Sequence, residues 1–188
     1  MSVIRLNAPL SAEEIRSLRA GDRVLLSGVI YTARDAAHAR LCAALEAGEV
    51  LPVDLRGQTV FYAGPTPTPP GKACGAIGPT TSMRMDAFTP RLLRYGVNAM
   101  IGKGERGETV REAVMETGAV YFAAIGGCAA YMAACVEALE VVAYEDLGTE
   151  SIKRLVVRDL PLTVALDAQG GDAYAMGTAR YREMFPNP

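Results

Sequence analysis

Arg23-Val-Leu-Leu-Ser-Gly-Val-Ile-Tyr31 passes into Thr32-Ala-Arg-Asp35 and then Ala36-Ala-His-Ala-Arg-Leu-Cys-Ala-Ala-Leu45. The first nine residues are dense in β-branched and large apolar side chains. They predict a strand, with Gly28 as a bulge or a point of close backbone approach. Behind them Ala37, Leu41 and Leu45 recur every four residues, which predicts a helix to about residue 47, ended by Gly48. A strong strand feeding a helix through a short junction is the unit from which α/β folds are built. Arg34 and Asp35 stand at that junction, where such folds present functional groups. His38 lies one turn into the helix and reads first as a satisfied structural histidine.

The same alternation extends outward in both directions. Residues 3–6 read as a short strand, and Ser11-Ala-Glu-Glu14 is a capping box that opens a helix carrying Ile15 and Leu18 toward Gly21. Downstream, residues 53–55 and 59–62 read as strand segments. Residues 63–72, with four prolines, read as a surface connection. Thr89-Pro90 opens a second helix, with Thr as its cap and Pro at its first position. Strands follow at 98–101 and 120–125, with an amphipathic helix over 109–116 between them. An Ala-rich helix is expected over 128–139. Strands at 141–144, 155–157 and 162–165 and a final segment at 174–185 complete the reading. The fold class expected is α/β, a mixed central sheet with packed helices, in one domain over 1–188.

Cys74-Gly-Ala-Ile-Gly-Pro-Thr-Thr-Ser-Met-Arg-Met-Asp86 is the stretch richest in chemistry. A Gly-Pro turn leads to three hydroxyls and then an arginine. If a helix starts there, its first amides and positive dipole end favour an anion. Arg84, four residues past Thr80, can grip a carboxylate beside those hydroxyls. Two readings follow, a small-anion site or an ordinary capped helix with an exposed arginine. Gly102-Lys-Gly-Glu-Arg-Gly107 offers glycines for close backbone approach and Lys103 as a mobile positive charge, or simply a solvated turn.

Composition narrows the alternatives. Half of the residues are hydrophobic and 21% are charged, with a net charge of −2, so no basic footprint points to nucleic acid. The N-terminus lacks the pattern of a signal peptide, and the longest apolar run is broken by Gly126 and Gly127, so no membrane span is expected. The cytoplasm is the expected compartment. Cys42, Cys74, Cys128 and Cys135 show no paired spacing, so neither a disulfide framework nor a zinc site is indicated. A hydrolytic triad would need His38 as its base, and no G-x-S-x-G elbow accompanies it.

Four ordered motifs, Gly21 to His38, Gly78-Pro-Thr-Thr-Ser-Met-Arg-Met-Asp86, Gly102-Lys-Gly104 and Gly126-Gly-Cys-Ala-Ala130, resemble the C-terminal domain or β subunit of class I iron–sulfur fumarases and L-tartrate dehydratases. The likeness spans nearly the whole chain. It implies a swivelling β/β/α domain working against an α subunit that carries a [4Fe–4S] cluster, with no cluster ligand from this chain. It further implies that Arg34, Thr81, Arg84 and Lys103 bind a C4 dicarboxylate and that Thr80 is the candidate catalytic base, the alternative being that Thr80 only binds a carboxylate oxygen. Met83 departs from the family, which places Gly between Ser and Arg, so the substrate is open among fumarate, tartrate, a methylated fumarate or another 2-hydroxy acid. The alternative from another class is a non-catalytic dicarboxylate-binding or partner-regulating module of the same fold.

Overall fold

The computed structural model describes residues 3–185. Seven strands and six helices follow in the order β1 (Val3–Ala8), α1 (Ala12–Ser17), β2 (Arg23–Thr32), α2 (Asp35–Glu46), β3 (Thr59–Phe61), α3 (Thr89–Tyr95), β4 (Ala99–Gly102), α4 (Glu108–Thr117), β5 (Val120–Ala123), α5 (Ala129–Ala134), β6 (Val136–Ala143), β7 (Ile152–Leu166) and α6 (Ala173–Met184). Two short 3-10 turns, Ser82–Met85 and Glu145–Glu150, complete the list.

The sheet is mixed, as expected. Strands β1 to β5 run parallel in that order, and β7 joins β5, β6 and β2 antiparallel. Because β7 pairs with both β5 and β2, the ladder β2-β3-β4-β5-β7 closes back on β2. The period-2 alternation of the central strands then feeds two separate cores. Phe61, Ile101, Val120 and Phe122 point to one side, among Leu26, Ile30, Leu155 and Leu160 of β2 and β7. Val60, Tyr62, Met100 and Tyr121 point to the other, where Leu41 of α2, Leu92 of α3 and Val110 and Val114 of α4 cover them.

Gly28 does what its place in a strong strand suggested. The β2–β7 register shifts beside it, its φ is +100°, and an added Cβ would sit 2.2 Å from the Ala8 carbonyl oxygen. No L side chain fits there.

Several expectations need correction. Residues 53–55 form no strand; the Asp54 carboxylate accepts the Arg56 amide at 3.0 Å and holds the segment in a local turn. The Ala-rich helix stops at Ala134, and residues 136–143, half of them expected to be helical, form β6. Glu137-Ala-Leu-Glu140 has good helix propensity, but pairing along the open edge of β7 wins. The two strands expected at 155–157 and 162–165 are one, β7. Pro161 is tolerated inside it because β6 pairs with β7 up to Val157 and β5 only from Thr163, so Pro161 faces β2 alone. Thr89 is the first residue of α3 rather than its cap, which is Phe88.

Candidate active site

The carboxyl ends of parallel strands gather functional side chains because each strand there gives way to a loop. Here β2 ends just before Arg34, β3 before Tyr62 and β4 before Lys103. The stretch from Gly78 lies across these ends. The Thr80 amide donates to the Tyr62 carbonyl at 2.8 Å, and the Ser82 amide donates to the Lys103 carbonyl at 2.9 Å. In return the Lys103 amide donates to Ser82 Oγ at 2.9 Å, and Thr81 and Lys103 form an isolated parallel bridge.

This geometry overturns the expected helix N-terminus. After Thr81 the chain makes a single 3-10 turn without a side-chain cap. Two of the amides that were to face an anion are spent on the strand ends, so a first-turn amide cradle is absent here. The hydroxyls and Arg84 remain.

Two of the expected cations converge. Arg84 Nε donates to Asp35 Oδ1 at 2.8 Å, and Arg34 Nε lies 3.3 Å from Asp35 Oδ2. The other face of Arg34 meets Glu150, NH2 to Oε1 at 3.5 Å. Burial pushes the Asp35 carboxyl up, but its own backbone amide, Arg84 and Arg34 together outweigh that, and its pKa is lowered. The carboxylate therefore stays charged between its two arginines. Lys103 stands apart from this pair, beside Thr81. A Cβ at Gly126 would lie 3.4 Å from its Cδ.

A buried polar layer supports both groups from behind. Arg106 is fully enclosed; its Nε donates to Asp86 Oδ1 at 2.7 Å, and its NH2 donates to Thr89 Oγ1 at 2.8 Å. Its guanidinium lies 5.3 Å from the Tyr62 ring centre and 5.0 Å from that of Tyr121. The Gly107 amide donates to the second Asp86 oxygen at 2.7 Å. Asp86 and Arg106 thus bind the end of the hydroxyl loop to the end of the Lys103 loop. Gly102 serves this contact rather than a ligand, since an added Cβ would lie 1.9 Å from Ser82 Oγ. Tyr121 completes it, its hydroxyl 2.9 Å from Ser82 Oγ and donating to the Gly104 carbonyl at 2.8 Å.

His38 is structural, as read. It is buried against the Tyr62 ring, with Nδ1 3.1 Å from the Arg34 carbonyl. Burial pushes its pKa down to about 4, so the ring is neutral near pH 7 and braces the backbone of Arg34. Met83 is exposed on the outer side of the 3-10 turn.

Arg34 and Arg84 thus share one carboxylate, while Thr80, Thr81 and Lys103 lie along the same strand ends. Glu150, Asp86, Arg106 and Tyr121 were missed. Asp86 ended one motif already singled out and Arg106 stood inside another, and that was the available signal; Glu150 sits in a turn with no motif. Among the described residues no three His, Cys, Asp or Glu side chains converge as metal ligands, and no helix is long and apolar enough to cross a membrane. The four cysteines are unpaired.

Residues 1–177 match the family model described as Fumarase C-terminus. The chain is 37% identical over 175 residues to the aerobic class I fumarate hydratase of Salmonella typhimurium, covering 91% of this chain and 30% of that protein. It is 36% identical over 175 residues to the aerobic class I fumarate hydratase of Escherichia coli K12, covering 91% and 32%. It is also 36% identical over 171 residues to a Methanocaldococcus jannaschii protein named "Putative L(+)-tartrate dehydratase subunit beta", covering 88% of each. The chain therefore spans about a third of the length of the fumarate hydratases it matches.

Proposed function

This chain belongs to the fumarase C-terminus family, and from that premise we propose that it is the β subunit of a hydro-lyase acting reversibly on a C4 dicarboxylate. In this reading the whole chain acts as one swivelling β/β/α domain in the cytoplasm, consistent with its free thiols. It works with an α subunit that holds a [4Fe–4S] cluster. The cysteines here offer no ligand set for such a cluster among the described residues. The match to 88% of a relative named as a β subunit supports the division into two chains.

The observation that carries the reading is the convergence of Arg34 and Arg84 on one carboxylate, that of Asp35. Arg84 keeps both terminal nitrogens, and Arg34 its NH1, outside these pairs, and those donors are the ones left for a second carboxylate. Lys103, beside Thr81, supplies a point charge for the other end of the substrate. The three cations are partly offset by Asp35 and Glu150, which limits the unbalanced charge these residues carry.

Thr80 is the group assigned to proton transfer. Its hydroxyl holds a proton far too tightly to act alone as a base near neutral pH. In this reading the positive charges of Lys103 and Arg84 lower the cost of the alkoxide and also stabilise charge developing on the carboxylate next to the reacting carbon. Thr80 Oγ1, its own proton released to solvent, then accepts the proton from the carbon beside that carboxylate in dehydration, the C–H electron pair passing into the carboxylate, and returns it in hydration.

The test is anaerobic reconstitution with the α subunit, assayed against malate, tartrates and methylmalates. Turnover of at least one is expected, with its stereochemistry defining the substrate. A cluster-loaded complex that dehydrates none of them overturns the reading.

A further inference from the structure

We infer that Lys153 is a positioning residue for the proposed dicarboxylate site: its enclosed ammonium fixes the turn that sets Glu150 against Arg34. This rests on the reading of Arg34 as a substrate-binding group.

Lys153 is 6% exposed and has no carboxylate partner among the described residues. Its Nζ instead donates into a ring of oxygens: Gly148 O at 2.9 Å, Thr149 O at 3.1 Å, Ser151 O at 3.3 Å and Ser151 Oγ at 2.6 Å. Burying a cation opposite dipoles alone is costly, and an apolar side chain would fill the same space more cheaply. What the ammonium secures is the shape of the 3-10 turn Glu145–Glu150. Gly148 there adopts φ 56° and ψ −114°, a kink that turns successive carbonyls toward one centre. Gly148 O also accepts the Ser151 amide at 3.1 Å and the Ser151 hydroxyl at 2.7 Å, and Ser151 O accepts the Thr32 hydroxyl at 3.4 Å. The ammonium is therefore what satisfies Thr149 O and draws the three carbonyls together. Without it their dipoles oppose each other, and the turn loosens.

The turn carries Glu150, and Glu150 does two things at the start of α2. Its Oε2 accepts the Ala36 amide at 2.8 Å, supplying from outside the cap that Arg34, at the cap position, does not provide. Its Oε1 faces Arg34 NH2 at 3.5 Å. Thr149 packs in the same place. Its Oγ1 donates to the Pro65 carbonyl at 3.0 Å, and a Cβ at Gly64 would lie 2.9 Å from its Cγ2 and 3.3 Å from Arg34 Cδ. The Lys153 amide also donates to Thr32 Oγ1 at 3.1 Å, two residues before Arg34. Both the backbone leading into Arg34 and the carboxylate beside its guanidinium are therefore tied to the segment that Lys153 holds.

The experiment compares wild type, Lys153→Met and Glu150→Gln in two measurements. Amide hydrogen exchange on the chain is followed at Ala36, with Ile101 in β4 as the control. Lys153→Met should speed Ala36 exchange about tenfold or more and leave Ile101 unchanged. In complex with the α subunit it should raise KM for the dicarboxylate about tenfold, with kcat within threefold, since Arg34 binds ground state and transition state alike. Unchanged Ala36 exchange overturns the proposal, and so does an unchanged KM. If Lys153→Met fails to fold, Glu150→Gln decides, because it keeps an acceptor for Ala36 and removes only the charge facing Arg34; KM must rise, and an unchanged KM overturns the proposal. If wild-type complex turns over no dicarboxylate, the reading of the site fails, while Ala36 exchange still decides whether Lys153 holds the turn.

Discussion

Arg84 Nε and Asp35 Oδ1 meet at 2.8 Å, joining the 3-10 turn after the hydroxyl loop to the first residue of α2, 49 positions earlier. That bond makes Asp35 the organiser of the two arginines and gives it a measurable pH signature. Its folded pKa lies below the ordinary 3.8, so its contribution to stability is complete above that value and is lost as pH falls through the lower folded one. The difference in urea midpoint between wild type and Asp35→Asn should be constant from pH 8 to 5 and shrink below pH 4. A difference that grows on acidification contradicts the assignment.

His38 is the sole histidine of the chain, which makes its titration unambiguous. Its ring resonances should titrate with a midpoint near 4, as burial dictates. With the folded value depressed, the stability gained from the neutral ring is complete above 6.5 and is lost as pH falls from 6.5 toward 4. The full effect is roughly 3 kcal/mol. A midpoint near 6.5 would show that the ring is reached by water.

Arg106 and Asp86 form an enclosed ion pair, and removing one member strands the other. Arg106→Met or Asp86→Ala should cost about 3–5 kcal/mol in urea unfolding. The double variant should cost less than the two together, since neither charge is then left unpaired. Losses below about 1 kcal/mol for both single variants are incompatible with this arrangement.

Gly102→Ala places a methyl group against Ser82 Oγ and 2.9 Å from Tyr62 Cδ2. Neither neighbour can retreat easily, because Ser82 holds the Lys103 amide and Tyr62 is buried. A loss of about 1–3 kcal/mol is expected. Weakened dicarboxylate binding should accompany it, as the hydroxyl loop lifts from Lys103; titration of the complex measures both.

Thr80→Ala should lower kcat of the reconstituted complex by about 10²–10⁴, and Thr80→Ser should retain most of it. Near-full turnover by Thr80→Ala rules out the base. Arg34→Ala and Arg84→Ala should each raise KM for the dicarboxylate.

Much of the chain's organisation is local and was legible. Strand β2 was expected to span 23–31 and does so within one residue, because Val24, Leu25 and Leu26 before Gly28 and Val29, Ile30 and Tyr31 after it favour a pleated, half-buried surface. The helix that follows it, α4 and β5 were readable for the same reason, their periodicity being written within a few residues. Arg34 at a strand-to-helix junction, Arg84 after three hydroxyls and Lys103 between glycines were legible as charged groups at element ends, and the structure places each beside the end of a parallel strand.

What escaped was whatever depends on a distant neighbour. Glu137-Ala-Leu-Glu140 has helical propensity, and only the free edge of β7 makes it a strand. Three hydroxyls after Gly-Pro look like a helix cap, and only the carbonyls of Tyr62 and Lys103 show where the amides go. By itself the sequence determined the succession of strands and helices and the chemical kinds of group at their junctions, since propensity and periodicity act over a turn or two. Tertiary structure alone decided that Asp35 would gather two arginines and that Glu150, 114 residues beyond Ala36, would cap α2 beside Arg34. Those contacts are set by which strands become neighbours in the sheet, and no local preference encodes that adjacency.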